Sequence, residues 1–104
     1  MAHLQASNLF SVKDRVVVIT GGGSGLGRIM TKALDANKVS KIFILGRREN
    51  ALQETISQTT NGTVIPIQCD ITSKESLETA YNAVAAQTTH VDLLIANSGV
   101  MGPP

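Results

Sequence analysis

The sequence carries a single cysteine, no tryptophan and almost no excess charge: nine Lys/Arg stand against eight Asp/Glu in 104 residues, a net charge of +1. Lone Cys69 excludes an internal disulfide. The near-neutral balance, with basic residues scattered apart from Arg47-Arg48, excludes the bulk positive field that holds nucleic acid or an anionic membrane. No apolar run approaches the ~20 residues needed to span a bilayer. Met1 to Ser11 lacks the basic start and continuous apolar stretch of a secretion signal. Neither an internal repeat nor a low-complexity linker is present. With 42% apolar residues, what remains is one soluble globular unit, expected in a reducing cytosol.

What is there alternates. Arg15 to Thr20 is a β-branched apolar run without period-two patterning, as expected of a strand covered on both faces. Gly21 to Gly27 punctuates the chain, and Leu26 to Asn37 follows with Ile29, Met30, Ala33 and Leu34 at helical spacing. Lys41 to Leu45 reads as a second buried strand, Arg48 to Thr59 as a helix through Leu52 and Ile56, and Thr63 to Cys69 as a third strand after Asn61-Gly62. Thr72 with Glu75 forms a capping box, opening a helix whose stripe is Leu77, Ala80, Tyr81, Val84 and Ala85. Val91 to Ala96 is a fourth apolar strand.

Alternating strands and helices give βαβ crossovers and a parallel sheet. Pro66 lies inside the third strand, where it removes a ladder donor, so that strand belongs at an edge. Right-handed crossovers in strand order 3-2-1-4 place it there, giving an α/β fold of Rossmann type: a doubly wound sheet of four strands with three crossover helices, incomplete. The same order puts Val91 to Ala96 at the opposite edge with one charge to protect it, so the chain reads as unfinished there. Residues 1–14 are expected to be a tail and residues 15–104 a partial Rossmann domain.

The glycine cluster lies where a buried strand feeds a helix. A helix N-terminus offers unpaired N–H groups and the positive end of its dipole, which together make an anion site. Glycines let a pyrophosphate approach the backbone, while Gly27 allows close packing of helix on sheet; the plainer reading is a flexible loop. A mononucleotide P-loop is excluded, because Arg28-Ile29 stands where the phosphate-binding Lys and hydroxyl would be. GxGxxG has no match within residues 21–28, whereas TGxxxGxG fits Thr20, Gly21, Gly25 and Gly27.

On these residues the sequence resembles the short-chain dehydrogenase/reductase family, whose cofactor motif is TGxxxGxG and whose second signature, NNAG, ends the fourth strand. Here the second reads Ala96-Asn97-Ser98-Gly99, and Asp70 stands after the third strand where family members contact adenine. The resemblance implies that Ser24 and the Leu26 backbone touch the phosphates, Asp70 and Ile71 the adenine, and Asn97 with Gly99 the ribose region. Ala96 and Ser98 depart from NNAG, read as tuning of the strand end. Asp70 also fits an ordinary turn role.

Cofactor choice rests on the end of the second strand, Leu45-Gly46-Arg47-Arg48, which lacks the carboxylate that would accept hydrogen bonds from the NAD ribose. A guanidinium pairs with a 2′-phosphate, pointing to NADP(H), and the resemblance gives Arg47 that role; the alternative is a solvated charge pair at a helix start. The family's catalytic Ser and YxxxK pair fall beyond the NNAG strand and have no counterpart in this sequence. Tyr81 does not replace them, since Ala85 stands at the Lys position and the stripe turns Tyr81 toward the core. His3, His90 and Cys69 have neither ligand nor triad spacing, so no metal site is expected.

The leading expectation is the coenzyme-binding N-terminal portion of an NADP-dependent oxidoreductase of ketones or secondary alcohols, binding without turnover alone. The alternatives are a binding module that takes a completing chain or second copy across the Val91 to Ala96 edge, and an inactive remnant.

Overall fold

The computed structural model describes residues 12–23 and 25–97. In chain order its elements are β1 (Val16–Thr20), α1 (Gly25–Ala36), β2 (Lys41–Gly46), α2 (Glu49–Ser57), β3 (Val64–Gln68), α3 (Lys74–Ala85) and β4 (Leu93–Ala96). The strands form one parallel sheet in the order β3-β2-β1-β4, as expected. Pro66 stands opposite Ile44 on edge strand β3, where its missing N–H breaks no central ladder.

β1 and β2 lack alternation because both their faces are covered. Val17, Ile19, Ile42 and Ile44 are buried beneath α1 and α2 with Leu52, Val39 and Val64. Val16, Val18, Phe43 and Leu45 are buried on the opposite face with Ile67, Cys69 and the α3 residues Ala80 and Val84. Burying each large aliphatic or aromatic side chain contributes about 1.5–3 kcal/mol, so these two layers hold the central strands.

The helices depart from their expected stripes. The buried row of α1 is Gly27, Thr31 and Asp35, whereas Ile29 is exposed; small and polar groups let this helix sit close to the glycine turn, leaving Met30 and Leu34 at the core's flank. In α3 only Ala80 and Val84 are buried, and Tyr81 is 73% exposed, not turned toward the core. This helix covers the β3 side of its face, so the flank bearing Leu77 and Tyr81 faces outward. Its N-cap is Ser73, whose Oγ accepts from the Ser76 N–H at 3.1 Å. Thr72 does not cap, because its hydroxyl donates to Asp70 at 2.6 Å.

Among the described residues β4 pairs only with β1. Its start is fixed by Asp92, which accepts the Val16 N–H at 2.8 Å and lies 3.2 Å from His90 Nε2 and 3.7 Å from Arg15. The Val16 bond, with His90 and Arg15 nearby, holds the Asp92 carboxyl below its usual value against an opposing cost of burial. Leu94, level with Val18 on the α3 face, is 62% exposed.

Candidate functional site

In-register parallel pairing brings Thr20, Leu45 and Ala96 to one level, so the C-terminal ends of β1, β2 and β4 open on one side of the sheet. That is where doubly wound sheets bind ligands. An open cleft of about 730 Å³ lies there, lined by Gly21, Gly23, Leu45, Gly46, Arg47 and Arg48, the α2 residues Ala51 and Leu52, and 69–72 beyond β3. Five expected site residues thus converge: Gly21, Arg47, Arg48, Asp70 and Ile71.

The glycine turn is built by its neighbours. The N–H groups of Gly21 and Gly22 both donate to the Leu45 carbonyl, at 2.8 and 3.3 Å, extending the β1–β2 pairing past the strand. Gly21 takes a φ of 73° and Gly25 a φ of 54°, both in the left-handed region that favours glycine. Gly27 packs against Gly21, and Asn97 closes the arrangement from β4: its Nδ2 donates to the Gly21 carbonyl at 3.4 Å and its backbone N–H to the Thr20 hydroxyl at 2.9 Å. Thr20, Gly21, Gly27 and Asn97 therefore form a second cluster sharing Gly21 with the cleft. Leu26 projects outward at 60% exposure and does not line it. Ser24 and Gly99 lie outside the described residues.

At the cleft's other end, Arg48 is the N-cap of α2, its carbonyl accepting from the N–H groups of Ala51 and Leu52 at 3.1 and 3.2 Å. No side chain caps this terminus. The positive end of the α2 dipole thus stands beside two exposed guanidinium groups, making this rim attractive to an anion. Gln68 fixes the Arg47 backbone by donating to its carbonyl at 2.9 Å.

Asp70 lines the cleft and also makes the turn contacts of the plainer reading. Its Oδ1 accepts from the Thr72 hydroxyl and N–H at 2.6 and 3.0 Å, while its own N–H donates to Ser76 Oγ at 2.8 Å. The two Thr72 bonds, with help from Arg47, hold this carboxyl below its ordinary range despite a burial cost.

Sequence reasoning missed the supports behind the turn. Arg28 Nε donates to Thr55 Oγ1 at 3.0 Å, and its terminal nitrogen donates to the carbonyls of Gly23 and Ala51 at 2.6 and 3.2 Å. Buried Thr55 in turn donates to the Gly22 carbonyl at 2.7 Å. The signal was a hydroxyl on the apolar stripe Leu52-Thr55-Ile56. Gly22, an unspecified position of the motif, is equally constrained: a Cβ there would come within 2.6 Å of Ile44 Cβ. Among the described residues no group of three or more His, Cys, Asp or Glu is placed to hold a metal, and no helix is long and apolar enough to cross a membrane.

A family profile described as short chain dehydrogenase matches residues 15–104. The chain is 47% identical over 100 residues to short-chain dehydrogenase/reductase VdtF of Byssochlamys spectabilis, covering 96% of this chain and 32% of that protein. It is 40% identical over 101 residues to PhomF of Diaporthe leptostromiformis, covering 96% and 34%. Among solved structures, a short-chain dehydrogenase/reductase from Mycobacterium marinum superposes with a TM-score of 0.80 at 20% identity over 88% of this chain and 37% of that one. The citronellol catabolism dehydrogenase of Pseudomonas aeruginosa gives 0.73 at 29% identity, over 81% and 36%. The chain spans about a third of the length of the curated relatives it matches. With a profile match running from β1 through β4, the chain belongs to the short-chain dehydrogenase family, whose fold implies a nicotinamide dinucleotide cofactor.

Proposed function

We propose that residues 15–104 are the part of an NADP(H)-dependent oxidoreductase that binds the dinucleotide, with Arg47 and Arg48 selecting the 2′-phosphate. The observation that carries this reading is the rim of the cleft: two exposed guanidinium groups and an uncapped helix N-terminus follow β2, with Gly46 and Arg47 where NAD-selective sites carry a carboxylate.

The surrounding chemistry fits such a ligand. Gly46 lines the cleft where a Cβ would crowd Leu52 at 3.1 Å, and Gly23 where a Cβ would press Ala51 at 3.0 Å, so both walls are as low as the backbone allows. Asp70, kept ionised and oriented by Thr72, is an acceptor suited to an adenine amino group. Gly21, Gly25 and Gly27 with the first turn of α1 would receive the pyrophosphate, Ser24 and Leu26 contributing there, Ile71 flanking the adenine, and Asn97 with Gly99 the ribose. When bound, the dinucleotide supplies hydride chemistry to a ketone or removes it from a secondary alcohol. This segment's residues bind and orient; the proton-transferring Ser and YxxxK groups of the family are absent from residues 1–104, so these residues alone bind without turnover. A reducing, cytosolic setting belongs to the same proposal, supported by Cys69 having no second cysteine to pair with in residues 1–104.

Fluorescence titration of the 104-residue chain with NADPH tests this. Saturable binding with no NADPH oxidation on adding ketones is expected; oxidation by the pure chain would contradict the assignment of catalysis to absent groups.

A further inference from the structure

We infer that Arg28 and Thr55 are positioning residues for the pyrophosphate: bonded to each other at 3.0 Å, they hold the Gly22 and Gly23 carbonyls on the α2 side of the turn, away from the anion. This rests on the dinucleotide reading of the cleft.

A loop that receives phosphate presents N–H groups and keeps its carbonyl oxygens elsewhere, since the negative end of a carbonyl dipole repels the anion that an N–H attracts. Here two successive carbonyls are captured. Gly22 O accepts from Thr55 Oγ1 at 2.7 Å, and Gly23 O accepts from the Arg28 terminal nitrogen at 2.6 Å. Neither Thr55 nor Arg28 lines the cleft, although Gly23, whose carbonyl Arg28 holds, does. They therefore act on the turn from behind.

The brace also ties the turn to the helix that follows the rim cations. Arg28 reaches Ala51 O at 3.2 Å, and Ala51 N donates to the Arg48 carbonyl at 3.1 Å, so one guanidinium joins the pyrophosphate turn to the first turn of α2. A planar fork suits this task because it donates in fixed directions to three acceptors, which a lysine ammonium at the same position does not reproduce.

The test compares Kd values of the full 104-residue chain for NADP and for adenosine 2′-monophosphate, which lacks the pyrophosphate. Arg28→Lys and Thr55→Val should each weaken NADP by about tenfold or more, the scale of one misdirected buried polar group. Adenosine 2′-monophosphate should change by less than about twofold in those variants, and Thr55→Ser, which keeps the hydroxyl, should bind both ligands like the unsubstituted chain. General loosening of the fold would weaken both ligands alike, and simple charge attraction would leave Arg28→Lys unaffected; either result overturns the inference while leaving dinucleotide binding intact. No NADP binding by the unsubstituted chain would overturn the dinucleotide reading and this inference together.

Discussion

A Cβ placed on Gly27 would collide with the carbonyl oxygen of Gly21, the same oxygen that receives the Asn97 amide at 3.4 Å. The first turn of α1 is seated on the end of β1 with no room for a methyl group, and Asn97 completes the packing from β4. Gly27→Ala should therefore cost about 1–3 kcal/mol or more through overpacking against backbone that cannot yield. At Gly25 a Cβ would meet nothing within 4 Å, so Gly25→Ala carries only the strain of a φ of 54°, about 1–2 kcal/mol. Urea unfolding of the two variants checks the order.

Asp35 is 3% exposed on the inner face of α1. Its carboxylate accepts the Thr60 N–H at 3.0 Å and the Thr63 hydroxyl at 3.1 Å, while its carbonyl accepts from Asn61 at 2.7 Å. These bonds pin the loop that delivers the chain into β3. Asp35→Ala leaves two donors without that partner, at a cost of about 1–3 kcal/mol each if they stay buried. A lowered urea midpoint is expected, with hydrogen-exchange protection falling first at 60–64.

Asp92 makes stability depend on acid. Its folded pKa lies below the ordinary value of 3.8, chiefly because the Val16 N–H binds the ionised form. The ionised form is thus favoured by folding: its contribution is complete above 3.8 and is lost as pH falls through the lowered folded value. Asp92→Asn should lower the unfolding midpoint at pH 7, and the gap to the unsubstituted chain should close as pH falls below 3.8. A gap constant from pH 7 to pH 2 would show that charge plays no part.

Arg47 sits at the rim with its backbone fixed by Gln68 and its side chain exposed. Arg47→Ala should weaken NADP binding by about tenfold or more, the scale of lost hydrogen bonds to a charged group. NAD affinity should stay within about twofold, because no 2′-phosphate is present to lose a partner. Calorimetric titration with both nucleotides reads the split.

Much of this was legible because backbone demands leave plain marks. Pro66 announced an edge strand, the unbroken runs in β1 and β2 announced strands buried on both faces, and Thr20, Gly21, Gly25 and Gly27 marked the strand–turn–helix junction. Helix faces were harder. Periodicity finds an apolar stripe but not how far a neighbour covers it, so Tyr81 reads as core in sequence and is exposed in the fold. In α1 the rule inverts: Thr31 is buried with its hydroxyl on the Gly27 carbonyl at 2.8 Å, whereas Ile29 faces out. Thr72 and Ser73 are adjacent hydroxyls, and only the prior claim of Asp70 on Thr72 decides which caps α3. The Arg28–Thr55 brace joins residues 27 apart, a separation no local pattern encodes.

The most direct measurement is the ratio of dissociation constants of the 104-residue chain for NADPH and NADH, titrated side by side at low salt. Two rim guanidiniums, with no carboxylate within Leu45 to Arg48 at the end of β2, should favour NADPH by about tenfold or more. Equal affinities, or tighter binding of NADH, would contradict the assignment of the rim to a 2′-phosphate.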